Sequence, residues 1–375
     1  MKLLLIGEKY SENLGDGVIF ETVANICKRI YPDCIIENLD ISGKSAYSAS
    51  AEKATSNRKK ASVVRRVARK LFGNPIFNLK RLRKVNACLK NIELSEIDYA
   101  IFVGGQLFMD YFVLPIFLVV KRLSKHSVPI VFNSCGVGKN NKRLNMFLLR
   151  KTINNENVKA ISVRDNLDVF FEKYVKSENV KITKVLDPAF EVSKYFTMPD
   201  VKRKVVGIGI MSINVINKNG KNLEEAKLID LLKMVISKIE KFGFEWELFT
   251  NGATYDYVYA SRIAAKLSPD KKRLSPQPTR PMQLMGIISE YDKIISFRLH
   301  SHIIAASLGI ASIGFVWDEK CAEFAKMTQN DYFVELNETI LKNTETALDI
   351  LLEDKLKVTI PKEIKSSEYI KSLDL

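Results

Sequence analysis

Residues 2–30 read KLLLIGEKYSENLGDGVIFETVANICKRI. The opening Lys2-Leu-Leu-Leu-Ile6 is a continuous apolar run of strand length. Gly7 to Gly15 is a polar loop. Beyond it Ile19, Val23, Ile26, Cys27 and Ile30 recur at helical spacing, Asp16 is placed to cap the helix, and Pro32 closes it. Cys34-Ile-Ile36 then starts a second strand. Strand, loop, helix and strand in this order predict the start of a parallel, nucleotide-binding-like βαβ fold.

The same grammar continues outward. Asp98–Val103, Pro129–Asn133, Ala160–Val163 and Lys184–Leu186 are short apolar strands. They end respectively in Gly104-Gly105, in Gly136 and Gly138, in Arg164-Asp165 and in Asp187-Pro188. Met198-Pro-Asp200 breaks the pattern like a linker. A second series starts at Val205–Ile210 and resumes at Phe244–Phe249, Lys293–Phe297 and Ala311–Phe315, with helical periodicity between these strands. A further helix is expected over Glu338–Leu352, with Asn337 as its cap. The fold class is therefore α/β, with two Rossmann-like domains facing across a cleft. The expected units are 1–198, 199–335 and a helical tail over 336–375. In such sheets ligands bind at the carboxyl ends of the strands.

Composition narrows the classes. The chain has 375 residues, 46% hydrophobic and 27% charged, which fits a folded two-domain protein. The net charge of +15 points to an anionic partner. From Lys53 to Lys90 there is no Asp or Glu, while Lys and Arg interleave with Val63, Val64, Val67, Leu71 and Phe72. That pattern suits a basic amphipathic helix at an anionic membrane surface, and equally a solvated helix face or loop. Nucleic acid is not expected, because no recognition motif with stacking aromatics accompanies the charge. No apolar run reaches the roughly 20 residues of a membrane span. The start does not read as a signal peptide. Five scattered cysteines without a CxxC pair predict reduced thiols and a cytoplasmic location, at most peripheral to the inner face of the membrane.

The densest chemistry is Arg298-Leu-His-Ser-His302, where a strand hands over to a helix. A helix N-terminus offers free amides and partial positive charge. Arg298 adds a fork for carboxylate or phosphate, and His300 can carry a proton near neutral pH. Ser301 completes the cluster. Arg164 and Lys320, each at the end of a strand, are further cations able to meet the same anion; the plain alternative is surface pairing with Asp165 or Glu319. In Asn13-Leu-Gly-Asp16, Gly15 permits a tight turn, and Asn13 and Asp16 are candidates to bind a sugar or orient the histidine. His300 and His302 face different sides of a helix with no third ligand near, so no metal is expected. A dinucleotide fingerprint and a P-loop are both missing, so neither cofactor nor ATPase chemistry is expected.

Taken in order, Asn13-Leu-Gly-Asp16, Val103-Gly-Gly-Gln-Leu-Phe108, Ser162-Val-Arg-Asp165, Asp187-Pro-Ala-Phe190, Arg298-Leu-His-Ser301 and Asp318-Glu-Lys320 resemble the polysaccharide pyruvyl transferases. The resemblance implies a fold similar to the GT-B glycosyltransferases. It also implies transfer of pyruvate from phosphoenolpyruvate to a sugar of a surface-polysaccharide precursor, as a cyclic ketal with loss of phosphate. By that likeness Arg164, Arg298 and Lys320 hold the donor's carboxylate and phosphate, and His300 is the general acid or base. Gly104 and Gly105 belong to the loops that meet the acceptor, a glycan or lipid-linked oligosaccharide; the first domain is then the acceptor side and the second the donor side. Two rival readings remain: a GT-B glycosyltransferase using a nucleotide-diphosphate sugar, and a non-catalytic glycan-binding or assembly protein.

Overall fold

A computed structural model describes residues 1–48, 75–138, 142–176, 180–199, 201–268 and 273–375. The first domain holds a seven-stranded parallel sheet: β1 (Lys2–Gly7), β2 (Ile35–Asp40), β3 (Tyr99–Phe102), β4 (Gly105–Phe108), β5 (Ile130–Val137), β6 (Val158–Val163) and β7 (Lys181–Lys184). Its order is β2-β1-β3-β5-β6-β7, with β4 added beside β5. β1 lies between β2 and β3, pairing Leu3 with both Ile36 and Tyr99. Because strand side chains alternate, Leu3 and Leu5 face one layer and Leu4 and Ile6 the other, and all four are buried.

Helix α1 (Leu14–Ile30) covers the first layer with Phe20, Val23, Ile26 and Cys27. Its cap is Asn13, so it starts three residues earlier than a cap at Asp16 would give. Asp16 lies in its first turn instead of capping it; there its charge complements the free amides. The second layer consists of α2 (Pro75–Lys90), α3 (Val113–Ser124), α4 (Arg143–Ile153) and α5 (Leu167–Tyr174), which bury Val85, Ile116, Leu149 and Phe170 on the sheet. Of the basic stretch 53–90, the part before Pro75 lies outside the described residues. The strand ending at Gly104-Gly105 has an unexpected continuation. At φ +109° and +81° the two glycines turn the chain back into the sheet as β4.

A 3₁₀ turn over Pro188–Glu191 and α6 (Val192–Tyr195) lead out of this domain. The second domain holds β8 (Arg203–Gly209), β9 (Glu245–Phe249), β10 (Tyr291–Ser296), β11 (Ala311–Val316) and β12 (Val334–Glu335), all parallel, in the order β12-β11-β10-β8-β9. Its helices are α7 (Ile213–Lys218), α8 (Glu225–Lys241), α9 (Thr254–Leu267), α10 (Pro281–Glu290), α11 (Leu299–Ser307), α12 (Glu319–Met327) and α13 (Ile340–Leu352).

One apolar cluster bridges the domains: Leu14, Val18 and Ile19 of α1 pack with Leu284 and Met285 of α10 and Ile303 of α11. The stretch 336–375 divides in two. Helix α13 packs on α8 in the second domain. The chain then crosses back, Leu186 donates to the Ile364 carbonyl, and α14 (Ser366–Lys371) buries Tyr369 and Ile370 in the first domain. Asn133 and Ser366 exchange hydrogen bonds inside it.

Candidate functional site

The strand ends of the two sheets meet, and the motif residues collect there. Arg164 follows β6, and its guanidinium lies across Gly136, where a Cβ would sit 3.0 Å from Nε. It bonds the Asp187 carboxylate, donates to Gln106 Oε1 at 3.4 Å, and stands 3.6 Å from Asp165. Asp187 begins the 3₁₀ turn, and its Oδ1 accepts from the Ala189 amide at 2.9 Å. Its Oδ2 is also 3.6 Å from His300 Nε2. Burial by itself raises this carboxyl. The Arg164 guanidinium and the His300 imidazole outweigh it and hold Asp187 down to about 2.

His300 is the second residue of α11, with Arg298 at the N-cap position. Its ring rests on Gly15 of the other domain: a Cβ there would lie 2.3 Å from Cγ and Nδ1. Gly15 lies inside the first turn of α1 with ordinary helical backbone, so it is the neighbouring histidine, and not the tight turn expected from the sequence, that requires glycine there. Leu14 donates to the Asn251 carbonyl at 2.9 Å, and Ser301 Oγ to Asn251 Oδ1 at 2.7 Å, so the same junction ties the domains together. Asn13 Oδ1, Thr250 Oγ1 and Asn251 Nδ2 are buried with no hydrogen-bond partner among the described residues, and His300 Nε2 has only the Asp187 carboxylate at 3.6 Å. A folded protein rarely leaves such atoms unmet. Asp16 sits alongside, within reach of Ser11 Oγ at 3.3 Å and beside Gly105.

Beyond Asp187 an interdomain cavity of about 900 Å³ opens. Arg164, Asp187, Lys320, Lys326 and Phe190 line it, and the returning segment 359–363 forms one wall. Lys320, at the start of α12, makes no hydrogen bond or ion pair among the described residues. Burial and the nearby Arg164 push its ammonium down, and Asp318, Asp165 and Asp16 only partly oppose them. A cation in that position gains by meeting an anion.

The structure therefore joins Arg164 and Lys320 on one cavity wall and puts His300 behind Asp187. Arg298 is elsewhere. Its Nε donates to Asp256 Oδ2 at 3.0 Å and its Nη2 to Tyr255 at 3.1 Å, while Asp256 accepts from the Ser212 amide at 2.8 Å. The fork expected to hold substrate instead fastens the start of α9 to the start of α11. Gly104, Gly105, Asn13, Asp16 and Ser301 surround the junction without lining the cavity. His302 is a core residue: Nδ1 meets Ser312 Oγ, Nε2 meets the Ser296 carbonyl, and burial lowers the ring to about 4. Among the described residues no group of three or more His, Cys, Asp or Glu is placed to hold a metal. Asp187 and Asn251 had no assigned role from the sequence. The Asp-Pro dipeptide directly after a strand was the available signal for the first.

The family model described as polysaccharide pyruvyl transferase matches residues 13–319. The chain belongs to the polysaccharide pyruvyl transferase family. The match runs from Asn13 to Glu319 and takes in Arg164, Asp187 and His300. A glycan-directed transferase is the activity class the family implies. No curated protein sequence matches the chain. Among the solved structures that share the architecture over nearly its whole length are two bound to UDP. One is the Methanocaldococcus jannaschii UDP-GlcNAc 2-epimerase in complex with UDP-GlcNAc and UDP (TM-score 0.57, 12% identity, covering 100% of this chain and 99% of that one). The other is the S. aureus MnaA–UDP co-structure (TM-score 0.54, 12% identity, covering 99% and 94%). At that identity the likeness is one of fold, and the fold of this pyruvyl transferase family member is GT-B-like.

Proposed function

We propose that the protein transfers pyruvate from phosphoenolpyruvate to two hydroxyls of a sugar in a surface-polysaccharide precursor. The observation that carries this reading is the run Lys320, Arg164, Asp187 and His300: two cations on a cavity wall, then a carboxylate, then an imidazole. Arg164 and Lys320 bind the donor's carboxylate and phosphate. The donor's methylene carbon gains a proton while a sugar hydroxyl adds to C2 and loses one, so a single imidazole can carry that proton from oxygen to carbon. The second hydroxyl then attacks C2, the C–O bond to phosphate breaks, and its proton leaves with the phosphate. Asp187, ionised across the physiological range, stands 3.6 Å from His300 Nε2 and orients the ring, as a buried carboxylate does behind a catalytic histidine. His300 of one domain is covered by Gly15 of the other, so substrate reaches it when the domains part. Arg298 is a positioning residue beneath it. No metal or cofactor is needed for these steps.

The acceptor, a glycan or a lipid-linked oligosaccharide, enters from the first-domain loops around Asn13, Asp16, Gly104 and Gly105. The likeness to two UDP-bound structures, one of them a UDP-GlcNAc 2-epimerase, supports one alternative, a nucleotide-diphosphate sugar donor. The test is phosphate release from phosphoenolpyruvate with a panel of glycosyl acceptors, beside thermal shifts with nucleotide sugars. Release that is lost in His300→Ala and Arg164→Ala supports pyruvyl transfer. No release, with stabilisation by one nucleotide sugar, transfers the case to glycosyl transfer. Silence in both assays, with glycan binding retained, leaves a non-catalytic glycan-binding protein.

A further inference from the structure

The four helices on the outer layer of the first domain differ in charge. Helices α2, α3 and α4 contain no Asp or Glu at all. They lie side by side, with Arg122 of α3 donating to Asn86 of α2 at 3.1 Å and α3 packed along α4. The chain returns to the sheet between them, so three separate stretches of sequence bring three acid-free helices together. The acids nearby sit at the margins: half-buried Asp110 accepts from Asn145 at 2.8 Å near the start of α4, exposed Glu93 and Glu156 follow the ends of α2 and α4, and Asp168 and Glu172 belong to α5.

On α4 the residues Arg143, Leu144, Phe147, Arg150 and Lys151 fall within about 120° of one another at 100° per residue. All five are exposed, Leu144 to 64% and Phe147 to 61%. Asn145, Leu149, Thr152 and Ile153 take the opposite side, on the sheet. Helix α2 resembles it: Leu79 is 54% exposed with exposed Lys80, Arg83 and Lys84 close after it, and Lys90 is exposed at the far end of the helix. Lys121 and Lys125 stand between the two. Exposed leucine and phenylalanine set among cations, on helices without a carboxylate, form the surface that suits an anionic bilayer: the cations meet headgroups and the apolar side chains enter the acyl boundary. A nucleic acid uses the charge but gives Leu144 and Phe147 nothing to enter.

We infer that the α2–α4 face docks the protein onto a membrane rich in anionic lipid, with Leu144 and Phe147 as the inserted side chains. This goes beyond the donor chemistry and does not depend on it. The contact is made by folded helices, and α4 lies outside the basic stretch 53–90.

The experiment is flotation of the full chain with phosphatidylglycerol-containing vesicles and with pure phosphatidylcholine vesicles. The wild type should float with the first and not the second. Arg143→Glu/Lys151→Glu should lower partitioning by about tenfold or more, and Leu144→Ser/Phe147→Ser should lower it while leaving thermal unfolding unchanged, since all four positions are exposed. In a Phe147→Trp variant the emission should shift to the blue on adding anionic vesicles; Trp246 and Trp317, both in the second domain, supply a constant background. Undiminished flotation of both double variants overturns the inference, and so does a Phe147→Trp emission that stays unshifted while the protein floats. Equal loss of flotation on adding a short duplex DNA, with no Trp shift, replaces it with a generic polyanion surface.

Discussion

Gly15→Ala tests the junction with one added methyl group and no change of charge. The new Cβ would sit 2.3 Å from His300 Cγ and Nδ1 and 2.6 Å from its Cβ. These atoms are at the root of the side chain, so no rotation of a flexible end relieves the clash. Reaching ordinary contact requires a relative movement of about 1 Å between α1 and α11, and a displacement of that size at a reacting group costs about 100-fold in rate. Forcing an extra methyl into a packed junction should also cost about 1–3 kcal/mol. Phosphate release and thermal unfolding measure the two effects. In a His300→Gly background the methyl meets no imidazole, so its stability cost should fall by roughly half or more. A Gly15→Ala enzyme with wild-type kcat and stability would refute the contact, and with it the reason given for glycine in this motif.

Other consequences are as direct. Asp187→Asn should reduce turnover by about 10²–10⁴ with a smaller change in donor KM, because it removes the carboxylate behind the imidazole but leaves Arg164 and Lys320 in place. The fall of Asp187 from 3.8 to about 2 corresponds to about 2 kcal/mol. That stability is present above pH 4 and is lost as pH falls through 2; acid-denaturation curves of the Asn variant should lack this step. For His302, lowered from 6.5 to about 4, the unfolded chain takes up a proton that the folded one refuses. Stability should therefore decline by about 3 kcal/mol between pH 6.5 and 4, and replacing His302 should flatten that decline in urea titrations at stepped pH. Lys320→Met should raise donor KM more than it lowers kcat, as expected for a cation that binds ground and transition states alike. Arg298→Met leaves Asp256 buried without its guanidinium and should cost about 3–5 kcal/mol in urea unfolding.

The sequence by itself determined the alternation of strands and helices, because burial on both faces demands apolar runs in β1, β3 and β5 and periodic stripes in α1 and α8. It also placed the motif residues at strand ends, where a parallel sheet collects them. It could not assign partners. Arg298 and Arg164 look alike as cations after strands, yet one meets Asp256 and the other Asp187, since ion pairing depends on distances set by the packing of α9 and of the 3₁₀ turn. The return of α14 to the first domain was equally hidden, because six residues of a short helix carry no label for the surface they will bury. The meeting of Gly15 with His300 belongs to the docking of one domain on the other. Local propensity has no information about that docking, and only the tertiary structure decided it.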